Sequence, residues 1–287
     1  METSELLKKV RKIEIKTRGL SKHIFAGEYH SAFKGRGMSF SEVREYQFGD
    51  DVRSIDWNVT ARFNKPYIKI FEEERELTVM LLIDMSGSKN FGTKQRFKDE
   101  LVTELSAVLS FSTIQNNDKI GVIFFTDKVE KFIPPQKGRK HILRIIRELI
   151  NCNPGSKKTD ISEALRYFTN SIKKRCTAFV ISDFMDKNFE KALQIANHKH
   201  DVIALQIFDE RETELPPIGL VKMKDAETGK EIWVNTSNKK LRTKFKADRL
   251  KFDAELKNTF AKSGVDFAKI KTNEDYIKPL LRLFKSR

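Results

Sequence analysis

The stretch LTVMLLIDMSGS, residues 77–88, decides the fold of this chain. Its almost continuous apolar run is typical of a strand that is buried on both faces. The run ends at Asp84, and Ser86 and Ser88 follow at alternate positions. Open α/β sheets bind their ligands at the carboxyl ends of their strands. The stretch therefore predicts an α/β fold with a candidate binding site where this strand ends.

Similar apolar runs alternate with helical patterns along the rest of the chain. In the segment KQRFKDELVTELSAVLSFSTIQ, for example, Phe97, Leu101 and Leu105 recur at helical spacing. Further buried strands are predicted in KIGVIFFTD, RCTAFVISDF, HDVIALQIFDE and VDFAKIKT. Continuous apolar strands separated by helices predict a mostly parallel sheet with helices on both faces.

Two regions depart from this alternation and define the predicted domains. Residues 1–76 are predicted to be an accessory region, with a helix near residues 6–13 followed by a β-rich part that contains many glycines and aromatic residues. Residues 77–287 are predicted to be the α/β domain. The segment LVKMKDAETGKEIWVNT predicts a β-hairpin insertion in that domain, near residues 216–238.

Neither β-rich piece is large enough to bury a good core alone. We therefore predict that the hairpin and the accessory region form one small subdomain. Its two large aromatic residues, Trp57 and Trp233, should then be largely buried, because a tryptophan is costly to leave exposed.

Composition sets limits on the class of protein. The chain has 287 residues, of which 39% are hydrophobic and 33% charged, as in a soluble globular protein. No apolar run reaches the ~18 residues needed to span a bilayer, and the first twenty residues lack the apolar core of a secretory signal. Cys152 and Cys176 make no disulfide framework and are read as reduced thiols. These features predict a cytoplasmic protein.

The net charge of +15 favours acidic partners such as nucleic acid, an anionic membrane surface or an acidic protein face. The lysines, however, are spread along the whole chain, as on an ordinary basic surface. The basic segment KKLRTKFKADRLKFDAEL, residues 239–256, is read as an amphipathic outer helix with its aromatic residues packed inward. We therefore favour a solvated surface over nucleic-acid binding.

Two more oxygen-bearing residues recur at the ends of predicted elements. Thr159 precedes a helix in KKTDIS, and Asp183 ends a strand in FVISDF. Together with Asp84, Ser86 and Ser88 they form a set without Cys or His. Such a set suits a hard divalent cation, and Mg²⁺ above all. Each residue alone could cap a helix or shape a turn. Their recurrence at three separate positions favours a metal site.

The pattern Asp-x-Ser-x-Ser, then a distant Thr and a distant Asp, resembles the metal-ion-dependent adhesion site of von Willebrand factor A domains. The resemblance implies that Ser86, Ser88 and Thr159 touch the ion. It implies that Asp84 and Asp183 bind the ion directly or through water. It also implies one open coordination position, which a carboxylate of a partner protein fills.

The run GDDVRSIDWNVTAR, residues 49–62, followed by a strand and then DxSGS, resembles the bacterial family called domain of unknown function 58. The similarity extends from about Gly27 to Phe284 and includes HILRIIREL and KTDISEAL. The resemblance implies a MoxR-type AAA+ ATPase as partner, in chaperone-like assembly or activation of an unidentified client protein. Within GDDVRSIDW we expect an Asp–Arg network around a buried Trp57.

The sequence contains no nucleophile–base pair and no acid–base dyad, so we predict a protein that binds rather than an enzyme. The predicted function is a metal-dependent protein-interaction module. Two alternatives remain open at this point. One is metal-assisted hydrolysis, which needs an added His, Glu or Asp near the ion, and the other is nucleic-acid binding through the basic surface.

Overall fold

The computed structural model describes residues 39–72, 77–87, 98–224 and 229–287. The helix predicted near residues 6–13 lies outside these residues. The chain divides into two compact units, of which the smaller is Phe33–Leu77 and the larger includes Thr78–Arg287. The division falls beside the predicted boundary at residue 76, but the full extent of the accessory region stays a prediction.

The smaller unit contains a two-stranded antiparallel sheet of β1 (Ser39–Glu45) and β2 (Tyr67–Glu72). A 3₁₀ turn, Val52–Ser54, and the short helix α1 (Trp57–Phe63) lie between the two strands in sequence.

The carboxylates of the GDDVRSIDW run have local structural roles. Arg44 donates two hydrogen bonds, of 2.7 and 2.9 Å, to the carboxylate of Asp50. The carboxylate of Asp51 caps the 3₁₀ turn, and that of Asp56 accepts bonds from the first amides of α1. Trp57 is not at the centre of this network, because its side chain is 71% exposed. The expected network is therefore present in part, without the buried tryptophan.

The larger unit is built on a six-stranded sheet in the order β10-β7-β6-β3-β4-β5. All neighbours in the sheet run parallel except β4 and β5. The strands are β3 (Thr78–Asp84), β4 (Lys119–Phe125), β5 (Val129–Gln136), β6 (Thr177–Ser182), β7 (Asp201–Phe208) and β10 (Asp266–Lys271). β5 is an edge strand, which explains how it accommodates Pro134 and Pro135.

Helices connect the strands and cover the sheet. They are α2 (Lys98–Gln115), α3 (Arg139–Asn151), α4 (Ile161–Ser171), α5 (Glu190–Lys199), α6 (Lys239–Lys262) and α7 (Ile277–Lys285). On one face of the sheet, Leu82 belongs to a core that includes Leu165 of α4 and Phe260 of α6. On the other face, the ring of Phe179 meets Phe284 of α7 edge to face.

Covered faces on both sides explain why β3, β4 and β6 are apolar at nearly every position. The predicted fold, a mostly parallel von Willebrand A-like sheet between helices with a small β-rich accessory part, is confirmed.

The predicted hairpin is present as β8 (Leu220–Lys224) paired with β9 (Glu231–Asn235). It belongs to the larger unit, not to the unit that holds β1 and β2. The expected burial of the tryptophans is wrong. Trp233 lies opposite Lys222 in the hairpin register, on the outward side of the ribbon, and is 65% exposed. Val221 and Val234 occupy the half-buried side instead.

Candidate metal site

The site begins at the ends of two neighbouring strands. β3 and β6 run parallel in register, with Leu82 beside Val180 and Ile83 beside Ile181. Asp84 is the last residue of β3, and Asp183 directly follows β6. The parallel pairing therefore brings both aspartates to the same edge of the sheet, as the sequence predicts. Both side chains are buried.

Hydrogen bonds from Ser86 and Ser182 hold both oxygens of Asp84. The amide of Ser86 donates to Oδ1 at 2.9 Å, and the hydroxyl of Ser182 donates to Oδ2 at 2.6 Å. The Ser182 oxygen in turn accepts a bond from the amide of Phe184 at 3.0 Å. The carboxylate is thus oriented from both strand ends. Ser86 is itself 1% exposed, so its hydroxyl lies in the same buried region.

Burial first, and the neighbouring charge of Asp183 second, raise the pKa of Asp84 from 3.8 to about 6. The hydrogen bonds from Ser182 and Ser86 oppose this rise but do not cancel it. Two carboxylates that disfavour each other's charge in a buried place are stabilised by a cation between them. The electrostatics of the site therefore suit a bound cation.

The loop that carries Thr159 is bonded to the ends of two strands. The amide of Gly87, three residues after Asp84, donates to the carbonyl of Lys157 at 3.0 Å. The amide of Asp160 donates to the carbonyl of Thr126, just after β4, also at 3.0 Å. These bonds bring the Thr159 loop to the sheet edge where Asp84 lies.

The alternative role of Thr159 as a helix cap is not what the structure adopts. Asp160 is the N-cap of α4, and its carboxylate accepts a bond from the amide of Glu163 at 2.8 Å. Thr159 therefore stands before the cap, half-buried.

The loop after Asp183 is hydrogen-bonded to the start of α4, which follows Thr159. The Asp186 carboxylate accepts a bond from the amide of Ile161 at 2.8 Å, and the Asn188 carbonyl accepts one from the hydroxyl of Ser162 at 3.1 Å. Phe184 has a φ of 57°, a costly conformation for a bulky residue. Its buried ring packs against the ring of Phe260, with 5.1 Å between the ring centroids, and this packing holds the strained backbone in place.

Lys98, the first residue of α2, is a member of the site that the sequence did not indicate. Its ammonium donates to Asp183 Oδ2 at 3.1 Å and lies 2.5 Å from Glu212 Oε1. The residue is only 2% exposed. Burial works against the charged form, but the two carboxylates outweigh it and hold the pKa of Lys98 above its ordinary value.

A small cavity of about 20 Å³ lies within this group. That volume is enough for one water molecule or one small ion. Its lining consists of Asp84, Lys98, Val102, Ile181, Ser182, Asp183 and Ile207. The cavity places the two aspartates and the lysine around one point of the sheet edge.

The donor set fits a hard divalent cation. The structure brings together Asp84, Ser86 and Asp183 and bonds the Thr159 loop to them, whereas Ser88 lies outside the described residues. Among the residues that the structure describes, no three or more His, Cys, Asp or Glu side chains form a metal-binding group. Two carboxylates with hydroxyl and water ligands would therefore have to bind the ion, which is chemistry that Mg²⁺ accepts. That these residues share one ion stays a prediction.

These features define a class: an α/β protein of the von Willebrand A-like type with an oxygen-only candidate site at the carboxyl edge of its sheet. Residues 42–255 match the family described as protein of unknown function DUF58, and the chain belongs to that family. An uncharacterized protein of Mycobacterium tuberculosis, Rv1480, is 27% identical over 292 aligned positions, which cover 100% of this chain and 91% of the relative.

Two solved structures are similar to part of this chain. An aerotolerance-related membrane protein of Bacteroides fragilis matches with a TM-score of 0.50 and 16% identity, covering 74% of this chain and 100% of that one. The SpRpn10 VWA domain matches with a TM-score of 0.38 and 12% identity, covering 74% of this chain and 95% of that one. Of the helices that the structure describes here, none is long and apolar enough to cross a membrane.

Proposed function

We propose that this chain is a metal-dependent protein-interaction module. Asp84 and Asp183, with the hydroxyls of Ser86, Ser88 and Thr159, would hold one Mg²⁺ or a similar hard cation. The observation that carries the proposal is the pair of buried carboxylates on adjacent parallel strands, one of which has its pKa raised to about 6. Charged carboxylates so placed repel each other, and a divalent cation bound by both would offset that repulsion.

Binding fits the site better than catalysis. Hydrolysis at a metal needs a base that can take a proton from bound water. Among the described residues that line the cavity there is no histidine or glutamate, the two aspartates are the proposed ligands of the ion, and the one lysine is paired with two carboxylates. Oxygen ligands of this kind leave the ion able to accept a carboxylate from outside. We therefore propose that the ion binds a carboxylate of a partner protein and does not catalyse hydrolysis.

The partner in this proposal is a MoxR-type AAA+ ATPase, and the ligand of the ion is a carboxylate of an unidentified client protein. Support comes from membership of the DUF58 family together with the resemblance of the site to adhesion sites. The net charge of +15 also suits an acidic protein face. A cytoplasmic location, with the ATPase, is part of the same proposal.

Capture from an extract of the same organism tests the partnership, with the ATPase and the client protein quantified separately by mass spectrometry. Thr159→Ala should weaken capture of the client about tenfold or more while leaving the fold intact, because it removes a neutral oxygen donor at a half-buried loop position. Thr243→Ala, an exposed threonine on α6, is the matched control and should capture like wild type.

Chelation alone would be ambiguous, because the ATPase needs magnesium for its own nucleotide. The decisive comparison is therefore between variants at constant magnesium. Equal capture by wild type, Thr159→Ala and Asp84→Asn would contradict adhesion through the ion. Capture of DNA or RNA oligonucleotides with a steep salt dependence would instead favour the basic surface as the binding face.

A further inference from the structure

Among the described residues of the candidate site, one ammonium serves more than one carboxylate. The Lys98 ammonium contacts Asp183 and Glu212, and Asp84 lines the same cavity. Lys98 contacts Asp183 and Glu212 at the same time, so it links a proposed metal ligand to a carboxylate outside the proposed ligand set. A divalent cation at Asp183 would meet this ammonium at short range, where a buried environment screens charge only weakly.

We propose that the Lys98 ammonium competes with a divalent cation for the carboxylate of Asp183. In this proposal Glu212 keeps its contact with the ammonium when Asp183 binds the cation. The inference rests on the proposed metal site and adds its regulation. Lys98 and the cation would seek the same carboxylate oxygens. The lysine therefore lowers the affinity of the site for cations and neutralises Asp183 when no cation is bound.

Glu212 is fixed in a way that suits this role. Its Oε1 lies 2.5 Å from the Lys98 ammonium, while its Oε2 accepts a bond from the amide of Asp209 at 3.2 Å. Asp209 is fully buried, and its Oδ2 accepts a bond from the Thr272 hydroxyl at 2.7 Å. Glu212 is thus anchored, apart from Lys98, to residues that directly follow β7 and β10. The ammonium has a partner that remains in place when Asp183 is engaged elsewhere.

The length of the lysine side chain makes the exchange feasible. Its ammonium sits on a flexible four-carbon stem, beside a cavity of about 20 Å³. A shift away from Asp183 towards Glu212 keeps the charge paired, so it avoids the high cost of a buried, unpaired ammonium.

Calorimetric titration with MgCl₂, and with MnCl₂ as a second probe, tests the competition. Lys98→Met should bind the cation on the order of tenfold more tightly than wild type, because the repelling charge is gone. Glu212→Gln should bind it several-fold more weakly. Glu214→Gln, which alters an exposed carboxylate two residues away, is the matched control and should bind like wild type.

Glu212→Gln also removes a negative charge, which by itself weakens cation binding. The double variant Lys98→Met/Glu212→Gln separates the two effects, because a role through Lys98 requires the loss caused by Glu212→Gln to shrink when Lys98 is absent. An equal loss in both backgrounds would contradict the role of Glu212. Urea unfolding without metal checks that each variant folds, and Lys98→Gln replaces Lys98→Met if the latter does not.

The outcomes separate this inference from the proposed function. If wild type binds the cation and folded Lys98→Met binds it equally or more weakly, competition is wrong while the metal site stands. If only Lys98→Met binds measurably, competition is supported in its strongest form. Absence of binding in every variant would contradict the metal site, and the competition with it.

Discussion

The hydroxyl of Ser182 donates a 2.6 Å hydrogen bond to Oδ2 of Asp84, although the two residues lie 98 positions apart in sequence. This bond joins the ends of β3 and β6 at the edge where the candidate site lies. It also fixes one oxygen of Asp84, while the amide of Ser86 fixes the other. The orientation of the carboxylate is therefore set by the protein itself.

Ser182→Ala should disturb the site more than the fold. Removal of the donor raises the pKa of Asp84 further and should weaken Mg²⁺ binding several-fold, with a loss of about 1 kcal/mol in the free energy of unfolding. Calorimetric titration and urea unfolding measure the two effects. Ser237→Ala, an exposed serine beyond the hairpin, is the control. Unchanged cation affinity in Ser182→Ala would show that this bond does not prepare Asp84 for a metal.

The raised pKa of Asp84 predicts how stability depends on pH. Because folding raises this pKa from 3.8 to about 6, the group stabilises the metal-free fold fully below pH 3.8 and loses that contribution as pH rises through about 6. The loss from this one group is about 3 kcal/mol at most. Asp84→Asn should remove this part of the pH dependence, which urea unfolding across the range would show. An identical pH profile in wild type and Asp84→Asn would contradict the raised pKa.

Binding of Mg²⁺ should depend on pH in the opposite direction to the stability of the metal-free fold. The cation must displace the proton from Asp84, so apparent Mg²⁺ affinity should fall as pH drops through about 6. Titrations on either side of that pH measure the change. Affinity that stays constant across it would place the ion elsewhere.

The two cysteines should differ sharply in reactivity. Cys176 is buried, its Sγ lies 3.4 Å from His200 Nδ1, and burial raises the pKa of its thiol to about 12. Because the thiolate is the reactive form, Cys176 should resist alkylation in the folded protein. Half-buried Cys152 should react first. Mass spectrometry after iodoacetamide treatment measures this, with urea-unfolded protein as control. Rapid labelling of Cys176 in the native state would be the contrary result.

The fold was predictable because burial on both faces leaves a clear trace in sequence. β3, β4 and β6 are apolar at nearly every position, and parallel pairing of β3 with β6 then brings Asp84 and Asp183 to one edge of the sheet. The carboxylate oxygens of these two aspartates therefore lie at the same edge of the sheet.

Lys98 and Trp233 show where sequence reasoning fails. Lys98 has the appearance of any surface lysine in the sequence, and only the folded structure shows it buried between Asp183 and Glu212. Trp233 suggests a core residue, but the hairpin register turns it outward opposite Lys222. Neither the burial of a single lysine nor the register of a hairpin can be read from residue types alone. Ser182 likewise resembles an ordinary strand residue until its partner Asp84 is seen.

The central claim is that Asp84 and Asp183 share one divalent cation. Calorimetric titration of wild type, Asp84→Asn and Asp183→Asn with MgCl₂ and MnCl₂ tests it most directly, with the exposed Asp248→Asn as control. The account predicts one cation per chain in wild type and in the control, and a loss of at least about tenfold in affinity in each site variant. Equal binding by all four proteins, or no binding by either wild type or Lys98→Met, would contradict it.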